Sequence, residues 1–131
     1  MSINHNKEVV RTFLKGVEER DRPTLERLLR DDGDYWIIGT MPLSGKKSKD
    51  EFLSNIGDLW KMVDGPVAME IHDLTAEEDR VSMMGTGRMK LVDGRPYENT
   101  YHVMARVVDG RITGWREYFD TLMVWDLMAK A

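Results

Sequence analysis

Residues 93–120 read DGRPYENTYHVMARVVDGRITGWREYFD, and the two Asp-Gly pairs within them decide the fold. Each pair stands between runs in which apolar and polar residues alternate. Asp-Gly in that setting is a strong hairpin signal, because a two-residue turn asks both of its residues for positive φ. Two such turns in succession predict an antiparallel meander. Its strands run from about Arg80 to Val92, from Arg95 to Val108 and from Arg111 to Asp120.

Upstream, Val67, Met69 and Ile71 alternate with Ala68, Glu70 and His72 and predict one more strand before the meander. The first third of the chain has the helical period instead. Val9, Val10, Phe13, Leu14 and Val17 mark the buried face of a first helix. Asp21-Arg22-Pro23 breaks it, and Pro23 suits the first turn of a short second helix carrying Leu25, Leu28 and Leu29. Asp31-Asp32-Gly33-Asp34 is expected to end that helix, ahead of a brief strand at Tyr35–Ile38. Ser48 and Glu51 form a capping box, which opens a third helix bearing Phe52, Leu53, Ile56, Leu59, Trp60 and Val63. The tail from Thr121 reads as a short closing helix. Helices first and a long antiparallel sheet afterwards make the class α+β. Gly85 and Gly87 inside a strand mark a bulge or bend, so the sheet should curve and enclose a pocket.

The 131 residues read as one domain, 1–131, with no linker or repeat. A net charge of −4 argues against a nucleic-acid surface, which needs a basic footprint. The absence of Cys removes thiolate chemistry and disulfides, and three scattered His form no metal constellation, so neither metal nor cofactor is expected. The polar N-terminus lacks the apolar core of a signal peptide, and no run is long enough to span a membrane. A cytoplasmic location is the expectation. Four Trp and ten Met suit a large apolar cavity or interface, and equally a plain core.

Strand alternation puts Trp115, Glu117 and Phe119 on one face and Arg116 and Tyr118 on the other. A carboxylate between two aromatic rings loses water, which raises its pKa and makes it a usable base near neutrality. The competing reading pairs Glu117 with Arg88, Arg106 or Arg116 as a structural ion pair. Asp120 is open to two readings, a second acid or the N-cap of the segment from Thr121. On the preceding strand Tyr97, Asn99 and Tyr101 share a face, as do Glu98 and His102. Trp36 faces away from Tyr35, toward a surface with His102 and Tyr118 that is too apolar to leave in water; a homodimer through that face is expected.

The order of elements, together with DGRITGWREYFD, resembles the nuclear transport factor 2-like superfamily. Its SnoaL-like branch, with polyketide cyclases, ketosteroid isomerase and limonene-epoxide hydrolase, is the most similar. The resemblance implies a cone of helices on a strongly curved antiparallel sheet around a pocket. It also implies a cofactor-independent acid–base enzyme for a hydrophobic small molecule, or else a non-catalytic binding or dimerisation module. By the same likeness, Glu117 replaces the aspartate base of the epoxide hydrolases, and Tyr35 matches a tyrosine that holds the catalytic water. Trp115 and Phe119 match pocket-lining positions, and Asn99 and Tyr101 are implied to point into the cavity toward a carbonyl or enolate oxygen. Asp120 resembles the single aspartate of the cyclases. Ile37 stands where the hydrolases hold water with Asn, and RVSMMGTGRMK lacks their Arg-x-Asp, which implies that epoxide hydrolysis is weak or absent. Ile37, Phe13 and Val103 or Met104 stand where ketosteroid isomerase has its working side chains.

Overall fold

The structure, a computed structural model, describes residues 2–129, with the side chain of residue 129 left aside. Helices α1 (Ile3–Glu19) and α2 (Arg22–Leu28) lead into strand β1 (Leu29–Ile37). A short strand β2 (Gly45–Lys47) and helix α3 (Lys49–Met62) follow. Strands β3 (Val63–Glu77), β4 (Arg80–Leu91), β5 (Pro96–Val108) and β6 (Arg111–Phe119) form the meander, and α4 (Thr121–Ala129) closes the chain.

Local signals set these boundaries. Ser2 caps α1 by accepting the His5 amide, and Arg20 ends it in the left-handed conformation. Asp21 caps α2 through the Thr24 amide. Ser48 and Glu51 exchange reciprocal bonds of 3.1 and 2.9 Å, the capping box that starts α3. At Asp109-Gly110 both residues adopt positive φ, as a two-residue hairpin turn demands. Asp93-Gly94 differs. Only Gly94 is positive, the Gly94 amide donates to the Leu91 carbonyl and the Leu91 amide to the Arg95 carbonyl. That is a three-residue loop, one residue longer than the dipeptide suggested.

The sheet order is β2-β1-β6-β5-β4-β3, antiparallel except where β1 lies parallel to β6. The acidic stretch Asp31–Asp34 does not end a helix; it belongs to β1, which starts as soon as α2 stops. Beyond Tyr35 toward its start, β1 has no β2 partner, so residues 30–34 lie along an open edge facing water. Charged residues cost little there, and Asp31, Asp32 and Asp34 pair with Lys49, Arg30 and Arg116. Gly33 is needed for a different reason: a Cβ there would stand 2.2 Å from the Tyr35 hydroxyl.

Two bulges shape the inner face. In β3, His72 is an extra residue between the Ile71–Gly85 and Asp73–Met84 pairs, and a Cβ on Gly85 would approach the Glu70 carbonyl oxygen to 2.5 Å. In β6, Thr113 is an extra residue between the Ile112–Val107 and Gly114–Arg106 pairs. Because strand side chains alternate, that one residue switches the parity of the strand. Ile112 points inward before the bulge, and Trp115, Glu117 and Phe119 point inward after it. The core beneath is aromatic. Phe13 of α1 lies 4.9 Å from Trp115, and Phe52 of α3 stacks on Tyr35 at 5.2 Å. Among the described residues no helix is long and apolar enough to cross a membrane.

Candidate functional site

Between α1, α3, α4 and the inner face of the sheet lies a cavity of about 190 Å³. Its wall is apolar almost throughout, with Phe13 and Val17 from α1, Ile56 and Leu59 from α3, and Val124 and Leu127 from α4. Three methionines of the sheet, Met69, Met83 and Met89, also line it. Such a space suits a small hydrophobic body: an apolar cavity of about 150 Å³ accommodates benzene.

Glu117 is the desolvated carboxylate of this wall; Asp58, also on the lining, is exposed and faces Lys61 at 3.9 Å. The register partners of Glu117 are Val103 on β5 and Ile37 on β1, which line the cavity with it, so the residue directly opposite it on each flanking strand is hydrocarbon. Its Oε1 accepts the indole N–H of Trp115 at 3.0 Å. Burial pushes its pKa up, and the Trp115 bond offsets this only in part. No arginine comes to its aid. Arg88 is held by Glu70 and Glu98, Arg106 by Asp79 and Arg116 by Asp34. The ion-pair reading of Glu117 is therefore excluded among the described residues.

Two tyrosines on β5 supply the remaining polar wall. The Tyr97 and Tyr101 hydroxyls bond each other at 2.7 Å, and Tyr97 also accepts Nδ2–H of Asn99 at 3.0 Å. The pair has two hydroxyl protons and one mutual bond, so one O–H proton remains unspent at the cavity wall whichever tyrosine donates. Burial raises both pKa values, that of Tyr101 strongly, and the nearby Glu117 charge adds to the rise. Both hydroxyls thus stay protonated as donors at neutral pH.

The other expected site residues divide. Ile37, Tyr101, Trp115 and Phe119 line the cavity with Glu117. Asn99 does not. Its Nδ2 donates to the Asp120 carbonyl at 3.1 Å and its Oδ1 accepts the Asp120 amide at 3.1 Å, so it fastens the junction of β6 and α4. Asp120 itself is exposed, and its carboxylate caps α4 through the Leu122 amide at 3.0 Å. Tyr35 is fully buried outside the cavity wall. Its hydroxyl donates to the Arg30 carbonyl at 2.5 Å, Ile112 O lies 3.3 Å away, and burial pushes its pKa up to about 12. His72 and His102 bond Thr86 and Ser82 and lie outside the cavity wall. Among the described residues no cluster of His, Asp or Glu is arranged to hold a metal.

Three polar lining residues, Tyr97, Asn55 and Asp58, escaped the sequence reading. Tyr97 shares the face of Tyr101, a placement that alternation had already implied. Asn55 sits one turn beyond Phe52 and one before Leu59 on α3, and its Nδ2 is buried with no hydrogen-bond partner. A polar residue interrupting an apolar helical stripe was the available signal.

Solved structures share this architecture along nearly the whole chain. A protein of unknown function from Burkholderia pseudomallei, described as nuclear transport factor 2-like, superposes with a TM-score of 0.82 at 24% identity, covering 97% of this chain and 98% of that one. IdmH from Streptomyces antibioticus, described as a candidate polyketide cyclase, gives 0.80 at 18% identity over 95% and 98%. An LEH-like epoxide hydrolase of Mycobacterium tuberculosis gives 0.76 at 22% over 98% and 92%. Identities this low speak for the fold alone. No curated protein is matched by the sequence. The model of the SnoaL-like domain matches residues 10–115, from the middle of α1 to the Trp115 that holds Glu117, and the chain belongs to the SnoaL-like family of the nuclear transport factor 2-like fold.

Proposed function

We propose that the protein is an acid–base enzyme that moves a proton on a small hydrophobic carbonyl compound bound in the cavity. The observation that carries this is Glu117: a desolvated carboxylate without a cationic partner, in an apolar cavity that also holds an unspent tyrosine proton. Glu117, ionised, would take a proton from the carbon next to the carbonyl. The C–H electron pair moves into the new C=C bond, and the tyrosine pair hydrogen-bonds the oxygen on which charge develops. Return of the proton to another carbon gives isomerisation, and attack of the enolate carbon on a second carbonyl gives an aldol cyclisation. The description of IdmH as a candidate cyclase, and of the Mycobacterium protein as an epoxide hydrolase, fits proton chemistry on this scaffold.

The cavity's volume favours one- or two-ring substrates, below the roughly 300–1,000 Å³ of pockets for drug-sized ligands. A test that needs no knowledge of the natural substrate is exchange of the C2 protons of 1-tetralone in D₂O, followed by NMR. Wild-type protein should accelerate exchange and Glu117→Gln should not. Equal exchange by both proteins would overturn the assignment. The same reading includes a homodimer formed through the outer sheet face, supported by the apolar side chains gathered there.

A further inference from the structure

We infer that Asn55 is the specificity residue of the site, selecting substrates with a hydrogen-bonding group at the end remote from the reacting carbonyl. The cavity opens beside a second, shallower cleft lined by Lys47, Asp50 and Ser54. Asn55 borders both spaces, with Leu43 and Met128 beside it, and so stands at the neck between them. Inside the neck the wall is apolar apart from Glu117, the tyrosine pair and the exposed Asp58 at its edge; outside it Lys47, Asp50, Glu51 and Ser54 stand among Pro42, Leu43 and Met128.

The amide of Asn55 makes no side-chain hydrogen bond among the described residues, and its Nδ2 is buried. A buried donor without a partner is costly, and the cost disappears if a bound molecule supplies an acceptor. The terminal torsion of Asn is broad and two-fold, so a turn about it presents either end of the amide to the neck. A ligand whose ring system fills the cavity, with its carbonyl oxygen at the tyrosine pair and the adjacent carbon at Glu117, would bring its opposite end to Asn55. The substrate class is then an amphiphilic ketone: an apolar one- or two-ring body carrying a hydroxyl, amide or carbonyl substituent that reaches the outer cleft.

The inference rests on the cavity being the ligand site but does not depend on Glu117 acting as base. Its test compares two ketones of nearly equal bulk, 6-hydroxy-1-tetralone and 6-methyl-1-tetralone, by titration calorimetry. Wild-type protein should bind the hydroxy compound about fivefold to tenfold more tightly, the scale of one satisfied hydrogen bond. Asn55→Leu should abolish that preference while leaving affinity for the methyl compound equal or improved. Asn55→Gln, which keeps the amide donor and acceptor on a stem one methylene longer, should retain it. Glu117→Gln should leave the preference unchanged even where it stops proton exchange, which separates this inference from the proposed reaction. Absence of the preference in wild type, its survival in Asn55→Leu, or failure of both ketones to bind would each overturn it.

Discussion

Glu117 faces Val103 across the β5–β6 pair because Thr113 adds one residue to β6. Without that bulge the alternation set by Ile112 would carry Glu117 to the outer face, beside water and arginines. With it, the carboxylate meets Val103 on one side and Ile37 on the other. One inserted residue thus decides whether the acid is ordinary or desolvated.

The first consequence is catalytic. Glu117→Gln keeps the size of the side chain and its acceptor for the Trp115 indole, but it removes the proton acceptor. Exchange or turnover should fall by roughly a hundredfold or more, the scale of a lost general base. Ligand affinity should hardly change. Activity per folded molecule equal to wild type would show that the base lies elsewhere.

The second consequence concerns pH. Burial raises the folded-state pKa of Glu117 above its unfolded value, so the folded protein binds the extra proton more readily. Below the unfolded value both states are protonated and the residue is neutral in its effect. As pH rises through the window between the two values, the unfolded state ionises first and stability is lost. Above the folded value that loss is complete. Denaturant melts of wild type and Glu117→Gln should coincide near pH 4 and diverge as pH rises, with the variant the more stable. Exchange activity should rise over the folded-state ionisation, because the ionised form is the base. A constant stability difference across pH would contradict both statements.

Epoxide hydrolysis should be weak or absent. Opening an epoxide this way requires a water held beside the base by more than one group. Ile37 beside Glu117 offers no hydrogen bond, β4 contributes methionines and glycines to its inner face, and the Tyr35 hydroxyl is spent on backbone carbonyls. The measurement is hydrolysis of limonene oxide by purified protein; rapid turnover would contradict this account.

Much of this architecture is visible in the sequence because its signals are local. The Asp-Gly pairs, the Ser48–Glu51 capping box and the alternation around Glu117 each depend on a few neighbouring residues. The features that escaped depend on distant partners. Asp31–Asp34 reads as a breaker since strands avoid Asp and Gly, yet an open edge tolerates both. The parallel pairing of β1 with β6 joins segments about eighty residues apart and leaves no local mark. Asn99 is a polar residue on an inner face, a pattern that looks the same whether a ligand or the chain's own backbone satisfies it. Here the backbone does.

The outer sheet face gives a prediction about assembly. Tyr118 lies 5.3 Å from Trp36 and 6.1 Å from His102, and the Arg116 guanidinium sits over the Trp36 ring at 5.5 Å. Met84, 48% exposed, pairs with His102 across β4–β5 and extends the patch. A second copy of the chain would cover these side chains. Sedimentation at micromolar concentration should show a dimer, and Met84→Glu combined with Tyr118→Glu should give a folded monomer. A monomeric wild type would refute the assembly.

Asp120 and Asn99 should separate structure from chemistry. The Asp120 carboxylate is exposed and caps α4, so Asp120→Asn, which caps as well, should keep both stability and proton exchange. Asp120→Ala should cost about 1 kcal/mol, the usual value of an N-cap, without the hundredfold loss expected at Glu117. Asn99 is the larger liability. Removing its amide leaves the backbone groups of Asp120 without their partners and takes one hydrogen bond from the Tyr97 hydroxyl. Asn99→Leu should therefore destabilise the fold by about 3 kcal/mol, at roughly 1 kcal/mol for each bond lost. It should also loosen α4, whose Val124 and Leu127 close the cavity, so that KM for the exchanging ketone rises more than kcat falls. Thermal melts and exchange kinetics on the three variants give the comparison. A collapse of exchange in Asp120→Asn with stability intact would make Asp120 a working acid, and its role as a cap would then be secondary.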